Sequence, residues 1–285
     1  MEIFNFTGRP DGIGNRLEEV IILEVIGNKH NTAINYVWQN RHVSRSYPIL
    51  LSSKNVNIVQ HCDNNAPFCK LSDFSCSFSQ EELLSAAKSI RPTFGVSFAR
   101  SVKPTGIHIR GTDRIGRDHP HFMKDATEFN RFLSKTIELL NTNKPPYVFI
   151  CADDEKVKSE FTKYLDQTIT IVEPVCEEGV PAEYKDFFAL TLCSEIYMCS
   201  KFSTYSIVAS LIGNIPLVTF YYDKAVSERY KALFRYEPNI EKTKPVNIVS
   251  RNYHIIKKIK SKLKEFHARF ANCSAWIALR APRPQ

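Results

Sequence analysis

The chain has no run of about 18 apolar residues, so no membrane-spanning helix is expected. Its first residues, Met1 to Thr7, lack a basic start followed by an apolar core, and no secretory signal is expected. No two cysteines are spaced C-x-x-C, which removes the usual signature of a zinc or dithiol site. No D-x-D motif follows an apolar strand, because Asp153 and Asp154 are adjacent rather than spaced. No RRM, KH or helix-turn-helix pattern is present, so nucleic acid is not expected as a partner.

What is present describes a soluble globular protein. The 285 residues are 43% hydrophobic and 24% charged, enough for a large core. The net charge of +8 points to an acidic partner, a phosphorylated ligand, an anionic membrane surface or nucleic acid, and charge alone does not choose among them. Cys151, Cys193 and Cys199 stand in apolar runs and read as small buried hydrophobes, reduced as in a cytoplasmic protein. Cys62, Cys69 and Cys76 recur every seven residues in a polar loop that suggests no chemistry.

Strand and helix patterns alternate along the chain. A strand over 2–6 leads into Asp11-Gly12-Ile13-Gly14-Asn15-Arg16, and Leu17 to Val25 form a helix that stops at Gly27-Asn28. Glycines there let backbone N–H groups approach a phosphate at the helix start. The third glycine of a dinucleotide fingerprint and the P-loop lysine are both missing. Strands follow at 33–38 and 56–59. Ser79 to Glu82 is a capping box that opens a helix through Ile90. Ser97 to Lys103 divides the chain in two.

The second half opens on the densest chemistry. Gly106 to Asp118 begins as a buried strand and ends as a glycine-broken loop. From His108 to Asp118, eleven residues hold one imidazole, three guanidiniums and two carboxylates. Guanidinium forks suit a diphosphate, and a carboxylate a few residues on can take a proton. His119-Pro120-His121 reads as a turn. Asp125 caps the next helix; Tyr147 to Cys151 is a buried strand; Asp153 and Asp154 start another helix. A strand is expected over 168–172, an acidic loop over 173–181, a helix containing Asp186, and a strand over 196–199. Ser203 and Thr204 then stand where that strand turns into a helix, as caps or as a second phosphate cradle. A strand over 215–220 and a basic amphipathic helix over 252–270 complete the pattern. That helix suits a core-facing position or a peripheral membrane contact. The alternation predicts an α/β protein with parallel sheets.

These motifs resemble the inverting fucosyltransferases of GT-B type: the α1,6-fucosyltransferases, including the rhizobial nodulation enzyme, with the α1,2- and protein O-fucosyltransferases as relatives. The loop from Asp11 to Leu17 looks like their glycine-rich donor loop. Ile107 to Asp118 looks like their H-x-R-R-x-D peptide. Phe149 to Asp154, with Asp186 to Tyr205, looks like their C-terminal donor peptides. The resemblance implies two Rossmann-like halves with a cleft between them. Residues 1–100 would form the acceptor-side half, 101–270 the GDP-sugar half, and 271–285 a mobile tail.

It also implies site residues. Arg110 would hold the donor β-phosphate, and His108 and Asp186 would meet the guanine nucleoside. Ser203 and Thr204 would touch the diphosphate, with Asp113 as the motif aspartate and Asp154 in a donor peptide. Gly12, Gly14 and Asn15 would line the loop beside the donor. Asp118 stands where the α1,6 enzymes carry a general base, Asp11 is its rival, and Arg114 matches a basic residue beside the motif aspartate. Gly111 departs from the pattern, because the second arginine of H-x-R-R is missing. The activity implied is metal-independent transfer of fucose from GDP-fucose to a glycan or lipid-linked saccharide in the cytoplasm or at the inner membrane face. Another GDP-sugar, of mannose or heptose type, and a non-catalytic glycan- or nucleotide-binding module are the alternatives.

Overall fold

The computed structural model describes residues 3–9, 11–38, 48–61, 68–69, 78–111, 114–116 and 119–250. Asp113, Asp118, the basic helix expected over 252–270 and the tail lie outside them. Among the described residues no helix is long and apolar enough to cross a membrane.

Two parallel sheets organise the chain. The first has the order β4-β2-β1-β5, from β1 (Ile3–Thr7), β2 (Ala33–Val37), β4 (Val56–Val59) and β5 (Phe68–Cys69). Helix α1 (Ile13–His30) crosses from β1 to β2. One face of the sheet sends Phe6, Ile34, Tyr36 and Val56 into the core. The opposite face carries a ladder of amides: Asn35 donates to Asn5 at 3.0 Å and Asn57 donates to Asn35 at 3.1 Å. These residues are register partners, so the ladder pins the strand alignment. A short antiparallel ribbon joins β3 (Leu51–Ser52) to β6 (Arg91–Pro92), and α2 (Gln80–Ala87) precedes β6.

The second sheet has the order β10-β9-β8-β12-β13-β14. Its strands are β8 (Thr105–Ile109), β9 (Tyr147–Ala152), β10 (Thr170–Ile171), β12 (Glu195–Cys199), β13 (Leu217–Thr219) and β14 (Phe234–Tyr236). Helices α3 (Ala126–Asn143) and α4 (Glu155–Thr162) connect the first three strands, and α5 (Ala182–Thr191), α6 (Thr204–Gly213) and α7 (Lys224–Arg229) serve the rest. The chain runs outward from β8 to β10, then returns to the other side of β8 as β12 and runs outward again. That is the doubly wound order, with its reversal between β8 and β12.

One core spans both sheets. Leu17, Ile21 and Ile26 of α1 join Ile207 and Leu211 of α6 in a single buried cluster, and a second cluster fills the α3 face of the larger sheet. Helix α1 is buried nearly all round because it lies between its own sheet and α6, which explains its broad apolar face.

Several boundaries differ from the sequence expectation. Helix α1 runs through Gly27 to His30 and ends at Asn31, whose left-handed backbone (φ 48°) closes it. Gly27 is a packing contact instead of a stop, since a Cβ there would come within 3.1 Å of Asn55 and of the Thr32 carbonyl. Helix α2 ends at Ala87 because the chain must turn extended before Pro92 to pair with β3. The acidic loop over 173–181 contains a strand, β11 (Pro174–Cys176), paired antiparallel with β7 (Val96–Phe98).

Candidate functional site

In a doubly wound sheet, ligands bind at the carboxyl ends of the strands where the order reverses, because loops diverge there and leave a crevice. In the larger sheet that place lies between the ends of β8 and β12. Strand alternation sends Ile107 and Ile109 toward α3, and Gly106 and His108 toward α5 and α6. His108 is only 4% exposed. Its Nδ1 lies 2.6 Å from the Ser206 hydroxyl, and its ring stacks on Tyr205 at 4.8 Å. Tyr205 is itself fixed, edge-on to Phe187 at 5.0 Å and donating its hydroxyl to the Glu183 carbonyl at 2.9 Å. Burial pushes its phenol well above the ordinary value, reinforced by Cys151 and Asp186. Asp186, one turn into α5, makes no hydrogen bond with a described residue. Burial raises its carboxyl above the usual range, while Lys185 and Lys158 pull the other way.

The first turns of α1 and α6 meet beside this crevice. A Cβ built on Gly14 would stand 2.7 Å from the Tyr205 backbone. Further along, Ile21 and Ile22 of α1 share a small apolar cavity with Leu211 of α6, so the two helices run side by side in the same direction. Their positive dipole ends therefore coincide. Neither end has a side-chain cap: Gly12 precedes α1 without one, and Ser203 precedes α6 without using its hydroxyl. Ordinary capping by Ser203 is thus not what the structure shows. By contrast, Ser79, Asp125, Asp154 and Asp223 accept from the first turns of α2, α3, α4 and α7. Helix α5, preceded by Pro181, is also without a side-chain cap. The Ser203 and Ser200 hydroxyls are fully buried and have no hydrogen-bond partner among the described residues. Thr204, also buried, stands beside them. Uncapped helix ends with orphan hydroxyls form a ready acceptor site for an anion.

Arg110 follows β8 directly, two residues after His108 on the same alternation. Gly111 donates its N–H to Asp153 at 3.3 Å, and a Cβ there would come within 2.4 Å of the buried Phe129 ring. The Phe129 ring thus occupies the place where a side chain at Gly111 would start. Arg114 lies over the Phe122 ring at 4.9 Å, and its carbonyl accepts from Met123 at 2.7 Å. The expected His119 to His121 turn is present. His121 stacks on Phe202 at 4.5 Å and meets Asp223 at 3.0 Å, which ties this loop to those after β12 and β13. Asp154 caps α4, accepting from the Lys156 N–H at 2.9 Å.

In the smaller sheet, the connection from β1 to α1 leaves the end of β1, where the strand order also reverses. Asn15 donates to the exposed Asp11 carboxylate at 3.3 Å, and Arg16 donates to the Asp11 carbonyl at 2.8 Å while stacking on Trp38 at 4.6 Å. Below the loop, the buried Glu19 accepts from Arg9 at 2.7 Å and from the Tyr36 hydroxyl at 2.7 Å. A Cβ at Gly12 would meet nothing within 4 Å.

No protein-family model matches the chain, and no curated protein sequence does. Similar solved structures do exist. The fucosyltransferase NodZ from Bradyrhizobium is 13% identical, with 76% of this chain and 95% of that chain covered and a TM-score of 0.47. POFUT1 in complex with GDP is 11% identical, covering 76% and 97%, with a TM-score of 0.49. The iron-containing dodecameric glycosyltransferase TibC from enterotoxigenic E. coli is 10% identical, covering 77% and 59%, with a TM-score of 0.39.

Of the residues expected from sequence, the structure gathers His108, Asp186, Ser203, Thr204 and Gly14 around Tyr205, with Arg110 at the neighbouring strand end. Asp11 and Gly12 precede α1, and Asn15 lies in its first turn. Sequence reasoning missed the anchoring roles of Tyr205 and Ser206, and missed Ser200 and Phe129. The hydroxyl run after β12 signals the first three; nothing local signals Phe129. Among the described residues, no three His, Cys, Asp or Glu side chains gather as a metal site.

Proposed function

We propose that the chain is an inverting glycosyltransferase of GT-B type that moves fucose from GDP-fucose to a glycan or lipid-linked saccharide. The observation that carries this reading is the meeting of two uncapped helix N-termini, from α1 and α6, together with the buried hydroxyls of Ser200 and Ser203, which have no partner among the described residues. A diphosphate is the ligand that satisfies such a place. Arg110 adds a guanidinium fork, and Thr204 a further hydroxyl. As the sugar leaves, charge builds on the diphosphate, and fixed donors stabilise it without reorganising. These donors supply the positive charge that the departing GDP needs, so the reaction is read as metal-independent. His108, stacked on Tyr205, and Asp186 take the guanine nucleoside. The carboxylate accepts from the base's N–H groups, and the imidazole is oriented by Ser206. Inversion requires one base on the acceptor hydroxyl, and Asp118 takes that role with Asp11 as the rival. The acceptor approaches from the side of the smaller sheet, and the protein works in the cytoplasm or at the inner membrane face.

Calorimetric titration with GDP, GDP-fucose, UDP and ADP tests this. Selective binding of GDP and GDP-fucose is expected. Failure of every nucleotide to bind overturns the reading. The Phe129 ring at Gly111 favours one alternative, a different GDP-sugar, which would appear as GDP binding with no preference for fucose.

A further inference from the structure

A second cavity opens on the opposite face of the larger sheet, at the carboxyl ends of β13 and β14. Its volume is roughly 340 Å³, and Arg131, Tyr221, Tyr222, Tyr236, Asn239 and Lys242 line it. That is the lower end of the roughly 300–1,000 Å³ of small-molecule sites. Tyr222 and Tyr236 are 54% and 45% exposed and touch edge to face at 5.7 Å, so two aromatic rings stand open at its mouth. Soluble proteins seldom leave adjacent large rings exposed without a use for them. Glu128 and Glu241 also line it, against Arg131, Lys201 and Lys242, so the lining is positive by a single charge. Lys201 is taken by Glu128 at 2.9 Å. Arg131 has no carboxylate partner among the described residues, and its Nε is buried without a hydrogen bond. A buried guanidinium nitrogen left unbonded is costly, and an anionic oxygen is its best acceptor.

We infer that this cavity binds an acidic sugar, a pyranose bearing a carboxylate. The tyrosine faces would receive the C–H side of the ring, their hydroxyls and Asn239 the sugar hydroxyls, and Arg131 the carboxylate. The inference does not depend on the nucleotide reading, because the cavity lies on the α3 face and the crevice at His108 on the α5 and α6 face.

The test is saturation-transfer NMR on the full chain with D-glucuronate, D-glucose and GMP as probes, with and without GDP. Glucuronate is expected to bind in both conditions and more tightly than glucose. Arg131→Gln should weaken it by about tenfold or more, as expected for losing a charge-assisted bond. Tyr222→Ala with Tyr236→Ala should abolish it; both rings are exposed, and an unchanged melting temperature confirms the fold. No transfer to glucuronate overturns the proposal. So does equal binding of glucose and glucuronate, stronger binding of GMP, or loss of the glucuronate signal when GDP is added.

Discussion

Gly14 and Tyr205 touch backbone to backbone: a Cβ on the glycine would stand 2.7 Å from the Tyr205 nitrogen and Cα. The glycine in the loop therefore permits a helix contact. It sets how closely the N-termini of α1 and α6 approach each other. Gly14→Ala should cost about 1–3 kcal/mol, because backbone cannot move aside as a side chain can. GDP affinity should fall with it. Gly12→Ala, where the added carbon meets open space, should cost at most about 1 kcal/mol from poorer capping. Thermal unfolding and calorimetry on the pair check this.

Ser203→Ala separates a binding role from a structural one. The hydroxyl is buried and unbonded, so removing it should leave the free protein as stable as before or more so, by up to about 1 kcal/mol. Nucleotide affinity should drop roughly fivefold or more if the hydroxyl meets a phosphate. A loss of stability without a loss of affinity would show that the hydroxyl serves packing alone.

Gly111→Arg supplies the second arginine of the H-x-R-R pattern that the sequence resembles, and it should destabilise the protein. The new side chain must displace the Phe129 ring, at about 1–3 kcal/mol. Adding Phe129→Ala should not recover stability, because it opens a cavity in the second core cluster. Urea melts of the single and double variants measure both terms. A stable Gly111→Arg protein would show that the ring yields easily.

Asp186 gives a pH signature. Its carboxyl sits above the usual range because burial disfavours the charge. The folded state therefore holds this proton more tightly than the unfolded chain. Its contribution to stability is full below the unfolded value of about 3.9 and is lost as pH rises through the raised folded value. Nucleotide binding runs the opposite way, since only the ionised carboxylate accepts from guanine. GDP affinity should be level near neutrality and decline on acidification, starting at a higher pH than an ordinary aspartate would give. Asp186→Asn should flatten that dependence.

Asp118→Asn should cut turnover by about a hundredfold or more while GDP affinity stays near wild type, as expected for loss of a general base. Steady-state transfer assays beside calorimetry decide it. If turnover survives, Asp11→Asn is the variant that should abolish it.

Much of this architecture is legible in local patterns. The alternation of strands and helices, the capping box at Ser79 and the cap at Asp125 all appear as the sequence suggests. So does the turn at His121. What was not legible depends on partners far away in the chain. Nothing near Pro174 signals that it pairs with Phe98, and nothing near Gly27 signals that Asn55 closes on it. The use of Gly14 likewise becomes visible only once α6 is beside it. Phe129 reads as one more apolar position in a helix stripe, and its steric claim on Gly111 exists only in the folded arrangement.

A single buried cluster runs from Phe6 and Leu17 through to Ile207 and Leu217. The two sheets thus share one buried interior on their facing sides. Such a chain should melt in one cooperative step, and a proteolytic nick between the halves should leave fragments that remain associated. Recombination that exchanged one sheet for a stranger's would strand the apolar flanks of α1 and α6 in water. The two halves must therefore be inherited, and altered, together.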